Sequence, residues 1–461
     1  MSHYTPFQEK DISQLSSIDL EILNTVSEGW YIEYKRDLPN PKSIAKSISA
    51  FANTYGGWLF IGIAENSKSN NTAVSYPGIA RNDIDAGLQK IRQSVAEHLN
   101  PTPHFEVKVI WGPNESIMLQ DNYGIICIEV AQSPLAPHVH SSGCIYRRVS
   151  DLSEPKAEND RHKLELLWNR REKVNEEYRR WIEREPEQSK IEENQPYLRL
   201  LFDADLYRAK GQKWDLTINQ IQEVLNDESS GPGIPVDTIY PSSLGWIARQ
   251  TTNLDRHEQF GFTWVIGRGL CCEILLPINC FNVDQPNHLS VHLARHVHIG
   301  RFINMLEIKK ASNSRVLDLN QLFAMLIGVS NSYLKLLTIG GHPTDKFHAK
   351  AILGGIWRTI PFLDSEIMLN RVEKFGLPLS LTSVAMVPGG SDANSFYEVK
   401  PFGTSEFHEM QYYSCAFWLF ELVCTALGFQ GILADGASEE AGKLFEELRG
   451  AYERTQLKKH S

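Results

Sequence analysis

The segment Ala50–Ile63 constrains the fold of this 461-residue chain more than any other stretch of its sequence. Before and within it, apolar residues recur every three or four positions, which predicts one buried helical face: Ile44, Ile48, Phe51 and Tyr55. Asn40 and Pro41 precede this pattern and are residue types favoured at a helix N-cap and first turn. Gly56 and Gly57 end it, because glycine readily adopts the left-handed conformation of a C-cap.

Short apolar runs flank this helix and predict strands. Trp58–Ile63 follows the two glycines, and Ile32–Lys35 lies a few residues upstream of the helix. Further strands are predicted at 105–111, 125–131 and 144–149. The sequence therefore predicts a strand–helix–strand unit within an α/β (α+β) fold.

The residues of this unit resemble the Schlafen AlbA-type domain, whose proteins are often labelled ATP-binding. The shared features are a Glu-x-Lys strand at Glu33 and Lys35, a helix that ends in Ala-Phe-Ala-Asn-Thr-x-Gly-Gly, and an apolar strand that ends in Gly62. A later segment, Gly143–Ser150, is similar to the closing strand of the family. The resemblance covers the N-terminal third only and implies a mixed sheet with helices.

The chain is too long for a single core, so two or three domains are expected. We predict a lead-in (1–20), a Schlafen AlbA-like domain (21–155), a charged linker helix (156–190) and a C-terminal region of unknown function (191–461). The last region is predicted to be mixed and then mainly helical, with 191–310 and 311–461 as two candidate subdomains.

Composition indicates a cytoplasmic protein without a membrane segment. The chain starts without the basic and apolar regions of a signal peptide, and its longest apolar run, Cys415–Leu427, is interrupted by Glu421. Seven cysteines without paired C-x-x-C spacing fit a reducing compartment. The net charge of −10 argues against a generic nucleic-acid coat. Any nucleic acid must therefore meet a local basic strip, or metal ions that offset acidic residues.

Carboxylates near the first strand form the main candidate site. Glu33 and Lys35 are two residues apart in a strand, so both point to the same face. Glu28 can join them only if the chain bends at Gly29, and Glu65 follows the end of the next strand. Carboxylates beside a lysine suit a nuclease that holds Mg²⁺ or Mn²⁺.

In Schlafen proteins that cleave RNA, three acids in this pattern form the active site. The resemblance therefore implies that Glu28, Glu33 and Glu65 are catalytic metal ligands, assisted by Lys35. Glu65 stands where the family pattern has aspartate. Its side chain is longer by one methylene, which would shift the position of the ion. The alternative is that Glu28 and Glu65 are solvated turn residues and that Glu33 pairs with Lys35.

Five basic residues lie closest in sequence to these acids and are the candidate nucleic-acid contacts: Arg36, Lys42, Lys46, Arg147 and Arg148. Arg147 and Arg148 alternate faces on the closing strand, so one of them should face a groove and bind a phosphate. The alternative for both is a salt bridge within the domain.

Other motifs give weaker indications. ATP remains a candidate ligand through the family label alone, because the chain has no G-x-x-x-x-G-K-[ST] loop. His288, His292, His296 and His298 have spacings that suit Zn²⁺ on a helix, although a structural role is favoured. His138 and His140 are weak candidates for proton transfer, with a surface-loop role favoured.

The resemblance, together with these residues, implies a metal-dependent endoribonuclease that cleaves tRNA or other structured RNA in antiphage or stress defence. The expected partner is RNA or DNA. One recognisable copy of the domain favours a homodimer or larger homo-oligomer, in which two copies enclose the substrate. The alternatives are an inactive nucleic-acid- or ATP-binding regulator, or an interaction or sensor scaffold in which the C-terminal region matters most.

Overall fold

The computed structural model describes residues 4–7, 10, 12–65, 71–149, 154–186, 195–206, 216–227, 234, 236–250, 261–401, 408–429 and 438–457. The chain separates into two compact units, and the division falls between Arg179 and Arg180. We call these the N-terminal unit and the C-terminal unit, and each is described by itself.

The N-terminal unit begins with two short 3₁₀ helices, Ile12–Gln14 and Ser17–Thr25. Its further elements, in chain order, are β1 (Ile32–Lys35), α1 (Pro41–Asn53), β2 (Gly57–Ile61), β3 (Ala64–Glu65), β4 (Ala73–Ser75), β5 (Ile79–Ala80), α2 (Arg81–His98), β6 (Leu99–Asn100), β7 (Phe105–Trp111), β8 (Tyr123–Val130), β9 (Val139–His140), β10 (Tyr146–Arg147), β11 (Lys156–Ala157) and α3 (Arg161–Glu183). Helix α3 passes through the division between the units.

The main sheet of this unit is mixed, as expected for the fold class. Its strand order is β1-β2-β8-β5, and β7 also pairs with β8. Strands β1 and β2 are parallel, with Glu33 opposite Leu59 and Lys35 opposite Ile61. Helix α1 is therefore the crossover that parallel neighbours require. Strand β8 runs antiparallel to both β2 and β7.

Two hydrophobic clusters cover opposite faces of the sheet. Successive residues of a strand point to opposite faces, so Leu59 and Ile61 pack with α1 and α2, whereas Trp58 and Phe60 pack with the N-terminal segment. Tyr34 shares the second cluster. Its neighbours Glu33 and Lys35 consequently point toward the α1 side of the sheet.

Helix α1 begins where the sequence predicts, but it ends at Asn53, three residues before the double glycine. Tyr55 therefore lies outside the helix and is 41% exposed, so its predicted place on the buried helical face is wrong. The Asn40 side chain accepts a hydrogen bond from Ser43 N at 2.9 Å, and Pro41 is the first helical residue. At the other end, Gly57 has φ +154°, and a Cβ there would lie 2.5 Å from the Phe51 ring. The double glycine thus lets the chain turn closely under the helix it has just left.

The elements of the C-terminal unit are β12 (Tyr197–Asp203), α4 (Ile218–Leu225), β13 (Thr238–Pro241), β14 (Trp246–Arg249), β15 (Thr263–Ile266), β16 (Cys272–Pro277), β17 (Cys280–Asn282), α5 (Pro286–His292), α6 (Ile299–Ile308), β18 (Arg315–Asp318), α7 (Asn320–Ile339), β19 (Phe347–Gly354), β20 (Thr359–Phe362), α8 (Glu366–Phe375), β21 (Val384–Val387), β22 (Tyr397–Val399), α9 (His408–Ala426) and α10 (Ser438–Leu457).

An antiparallel sheet of order β13-β14-β15-β16-β12-β19-β21 is the centre of this unit, and β22 also pairs with β19. A smaller sheet has the order β17-β18-β20. One hydrophobic core includes residues from Leu198 to Leu448 and therefore draws on both of the segments 191–310 and 311–461.

Helix α7 alone, among the described residues, is long and apolar enough to cross a membrane. Of its apolar window, 61% is buried inside the protein. Leu326, Ile327 and Val329 on this helix belong to the core of the C-terminal unit. A buried core helix meets the same criteria of length and composition as a membrane span.

Candidate functional site

Glu33 lies in β1, and its buried carboxylate contacts three side chains. Its side chain is on the same face as Lys35, whose Nζ lies 3.0 Å from Glu33 Oε1. Ser47 Oγ on α1 donates to the same oxygen at 2.8 Å, and Arg148 Nη1 donates to Oε2 at 2.9 Å. Both carboxylate oxygens therefore have protein partners, and the residue is 1% exposed.

Arg148 has a structural role rather than the phosphate contact expected from the sequence. Its side chain is buried, and its guanidinium donates to Gly29 O, Ile32 O and Glu33. The same group lies 4.9 Å from the centre of the Phe51 ring. The prediction that Arg148 binds nucleic acid is corrected, because no part of this side chain faces solvent; the alternative of a salt bridge within the domain holds for it.

Glu28 reaches the site because residues 28–31 form a bend, as the sequence required. Tyr34 N donates to Glu28 Oε1, which directs the carboxylate along β1. Glu28 is 7% exposed, so it is not a solvated turn residue. Its second oxygen, Oε2, is buried and receives no hydrogen bond from the described residues.

The carboxyl group of Glu65 is the neighbour of the Glu28 carboxyl group. Glu65 ends the short strand β3, just after β2. A hydrogen bond between the two groups requires that they share a proton, because two carboxylates are both acceptors. Burial, followed by this contact with Glu65, raises the pKa of Glu28 to about 8. The two carboxyl groups therefore need either a proton or a cation between them at neutral pH.

Lys35 experiences the field of all three acids. Burial lowers the pKa of Lys35, but Glu33 first, and then Glu28 and Glu65, outweigh this effect and the net pKa is raised. The ammonium group is consequently charged at neutral pH. Sequence reasoning placed these four residues in one region, and the structure brings them into electrostatic contact.

The described residues contain no group of three or more His, Cys, Asp and Glu side chains arranged to hold a metal ion. Glu28 and Glu65 face each other, whereas the oxygens of Glu33 are directed to Arg148, Ser47 and Lys35. The geometry is thus a pair of carboxylates with a lysine, and not the expected set of three metal-binding carboxylates.

Asn53 and Thr54 position this site, and sequence reasoning did not assign them a role. Asn53 Nδ2 donates to His138 O and Tyr146 O at 3.0 Å each, while its Oδ1 accepts from His138 N at 2.7 Å. Thr54 Oγ1 accepts from Arg148 N at 2.9 Å. Asn53 and Thr54 therefore hold in place the segment 138–148, which contains Arg148. Polar residues at the buried end of a helix are the sequence feature that could have indicated this role.

The remaining predicted nucleic-acid contacts differ in exposure. Arg36 and Lys42 are exposed. Lys46 Nζ lies 3.8 Å from Glu154 and 5.3 Å from the centre of the Tyr146 ring. Arg147 pairs with Glu158 at 2.8 Å, which is the salt bridge named as its alternative role.

Arg170 on α3 is a basic residue near the site that sequence reasoning missed. Its guanidinium faces the carbonyl oxygens of Ala52, Asn53 and Thr54 at the end of α1, at 3.3 to 3.5 Å. Cations are favoured at this end of a helix. Burial, then the nearby charge of Arg147, lowers the pKa of Arg170 to about 10.

The histidines singled out in the sequence have structural environments. His138 is fully buried, its Nδ1 lies 2.6 Å from Pro101 O, and burial lowers its pKa to about 4. His140 is also buried, so the surface-loop role favoured for these two residues is wrong. His292 stacks on Phe281, and His296 lies 3.6 Å from Asp364; the side chain of His288 lies outside the described residues.

Comparison with known families confirms the resemblance of the N-terminal third. Residues 28–157 match the family Schlafen, AlbA_2, so this part of the chain is a Schlafen AlbA_2 domain. The family is related to nucleic acids. A comparison with curated proteins found no match.

Two solved structures are similar to parts of the chain. The N-terminal domain of a protein related to the ATP-dependent DNA helicase RecG, from Nitrosomonas europaea, is 24% identical; the match covers 32% of this chain and 97% of that one, with a TM-score of 0.24. The DIP2311 protein from Corynebacterium diphtheriae is 19% identical; the match covers 28% of this chain and 22% of that one, with a TM-score of 0.18.

Proposed function

We propose that the N-terminal unit is a metal-dependent endoribonuclease that acts on tRNA or other structured RNA. The observation that carries this proposal is the buried Glu28 Oε2, which has no hydrogen-bond donor among the described residues and belongs to a carboxyl group that interacts with that of Glu65. Two acceptors in contact are unfavourable unless a proton or a cation joins them. In a domain related to nucleic acids, a cation held by these carboxyl groups could contact a phosphate of the bound strand.

The residues present fit a divalent ion. Mg²⁺ is commonly held by one or two carboxylates, with waters and substrate phosphates completing its octahedron, so Glu28 and Glu65 suffice as protein ligands. A bound ion of this kind lowers the pKa of a water and neutralises charge on a phosphate. Three carboxylates from the protein are not required for this chemistry.

The other residues of the site act as supports and as a second cation. Lys35 is charged and lies in the field of both carboxylates, so it can donate to a phosphate oxygen as negative charge grows there. Glu33 fixes Lys35, and Arg148 fixes both Glu33 and the bend at Gly29 that carries Glu28. Glu33 is therefore proposed as a positioning residue rather than a metal ligand.

A catalytically inactive regulator that binds nucleic acid or ATP is the second candidate. The full engagement of Glu33 by Arg148, Ser47 and Lys35 favours it, because these partners occupy the oxygens of one expected ligand. An interaction or sensor scaffold, in which the C-terminal unit carries the function, is the third candidate. In it, Glu28 and Glu65 would have no catalytic role.

RNA would meet the basic side chains that remain accessible near the site. Arg36 and Lys42 are exposed, and Lys46 and Arg147 make ion pairs at or near the surface. Each phosphate that a variant no longer binds should reduce the salt dependence of binding by roughly 0.7 to 0.9 in log–log slope. Neutralising Arg36 or Lys42 should therefore flatten that dependence, whereas Arg148 should not contribute to it directly.

The test is RNA cleavage with and without Mn²⁺ by the full chain and by Glu28→Gln and Glu65→Gln. Glu97→Gln, an exposed glutamate on α2, is the matched control. We expect Mn²⁺-dependent cleavage by wild type and by the control, and loss of at least about 100-fold in each site variant, since a ligand and its charge are removed. Cleavage that survives in both site variants would contradict the proposal, and binding without any cleavage in wild type would favour the inactive regulator.

A further inference from the structure

A cavity of about 340 Å³ opens in the N-terminal unit beside helix α3, and none of Glu28, Glu33, Lys35 and Glu65 lines it. Trp168 and Arg171 line it from the helix, and Asn100, Pro101, Leu135 and Pro137 are among the residues that line it from the chain opposite. We call it the Trp168 cavity. Its volume lies in the range of small-molecule sites and can hold one aromatic base.

Trp168 presents an unusually large apolar surface to solvent. Its side chain is 54% exposed on a helix that is otherwise rich in charge. Aromatic rings of this size normally bury most of their area, so an exposed one beside a cavity indicates a binding surface. Trp168 lines the cavity and makes no ring-to-ring or cation contact within the described residues, so the structure gives the indole no aromatic or cationic partner there.

Arg171 lies one helical turn from Trp168 and therefore on the same face of α3. Other arginines of this helix pair with nearby acids, as Arg161 does with Glu165 and Arg179 with Glu176. Arg171 is exposed and has no ion-pair or hydrogen-bond partner among the described residues. In a chain with a net charge of −10, an arginine without a partner among the described residues, beside an exposed indole, favours an anionic and aromatic ligand.

We propose that the Trp168 cavity binds one unpaired nucleotide of an RNA strand, with the base against Trp168 and a neighbouring phosphate on Arg171. The proline and leucine side chains form the opposite apolar wall, and Asn100 supplies a polar group that can meet a base edge. Base–aromatic stacking combined with an arginine is how proteins hold single strands with little sequence preference. This inference rests on RNA as the ligand of the unit, but not on cleavage.

The experiment measures binding separately from catalysis. A fluorescein-labelled, unstructured 12-nucleotide RNA is titrated in EDTA against the full chain carrying Glu28→Gln and Glu65→Gln, with fluorescence anisotropy as the readout. The variants added to this background are Trp168→Ala, Trp168→Phe and Arg171→Gln. Leu166→Ala is the matched control, because Leu166 is 51% exposed on the same helix and does not line the cavity. A second strand of equal length carries abasic positions.

We expect Trp168→Ala to weaken binding of the normal strand by about 5- to 150-fold, as stacking energies imply. Binding of the abasic strand should be unchanged, and Trp168→Phe should restore most of the affinity. Arg171→Gln should weaken binding of both strands and flatten the salt slope by about 0.7.

Affinity of Trp168→Ala equal to that of Leu166→Ala would overturn the inference, as would an equal loss on both strands. Binding of a proline-rich peptide to the cavity, with RNA affinity unaffected by either cavity variant, would overturn it in favour of a protein partner. Base-dependent binding through Trp168 without any cleavage in the Mn²⁺ assay would support this inference while the nuclease proposal fails.

Discussion

Replacement of Arg148 by methionine should destabilise the N-terminal unit strongly. The guanidinium donates to Glu33 Oε2 at 2.9 Å and also to the carbonyl oxygens of Gly29 and Ile32. Methionine would leave Glu33, which is 1% exposed, with Lys35 as its one remaining cation and with Oε2 unpaired. Removing one partner of a buried ion pair costs about 3–5 kcal/mol, because the other charge stays buried.

Hydrogen exchange in β1 and β2 measures this effect directly, because these strands flank the pair. A loss of about 3 kcal/mol corresponds to exchange that is roughly 100-fold faster for amides that exchange through unfolding of the unit. Arg36→Met, at an exposed position directly after β1, is the control and should change stability by less than about 0.5 kcal/mol.

The double variant Arg148→Met, Glu33→Gln should recover part of the loss, because it removes a buried charge that has lost one of its two cations and keeps only Lys35. Exchange in Arg148→Met that remains within a factor of about five of wild type would refute the assigned role. Weaker RNA binding without any loss of protection would return Arg148 to the set of phosphate contacts.

Three further predictions concern protonation, tethering and assembly. The pKa of Glu28 is about 8 in the folded state, against 4.5 for an unperturbed glutamate, so the folded state binds the extra proton; stability in EDTA should therefore fall as pH rises from about 5 to 8, and Glu28→Gln should flatten that fall in a thermal unfolding series. Asn53→Ala removes three hydrogen bonds to His138 and Tyr146, and should cost about 2–4 kcal/mol and expose the 138–148 segment to hydrogen exchange; unchanged protection there would contradict the tether. Light scattering at micromolar concentration should give at least twice the chain mass of 52.3 kDa, whereas a monomer that retains cleavage would contradict the predicted homo-oligomer.

Local features of the fold could be predicted from the sequence because their causes are local. The Asn40 cap, the apolar face of α1 formed by Ile44, Ile48 and Phe51, and the double-glycine turn each depend on neighbouring residues, and all three are present, without Tyr55. The strand Phe105–Trp111 has the predicted bounds. The closing strand is the exception: the prediction covered 144–149, but the strand is only Tyr146–Arg147, with Ile145 in an isolated bridge to Val139. The next amide, Arg148 N, donates to the Thr54 side chain and not to a neighbouring strand.

The sequence predicted the composition of the site and, as an alternative, the pair of Glu33 and Lys35, but not the other pairings. The spacing of Glu33 and Lys35 placed them on one face, and the bend at Gly29 was required for Glu28 to converge. The contact between Arg148 and Glu33 joins residues 115 positions apart, and strand alternation does not distinguish a buried arginine from one in a groove. The sheet order of the C-terminal unit is non-local in the same way, because β12 lies between β16 and β19.

Calorimetric titration of Mn²⁺ tests the central claim, that Glu28 and Glu65 form a cation-binding pair. With a pKa of about 8, Glu28 must lose its proton when the ion binds, so binding should release about 0.9 proton at pH 7 and about 0.1 at pH 9. The proton count follows from titrations in two buffers with different ionisation enthalpies. We predict that Glu28→Gln and Glu65→Gln each abolish this binding while Glu97→Gln keeps it. Mn²⁺ binding of equal strength in wild type and in the two site variants would contradict the account.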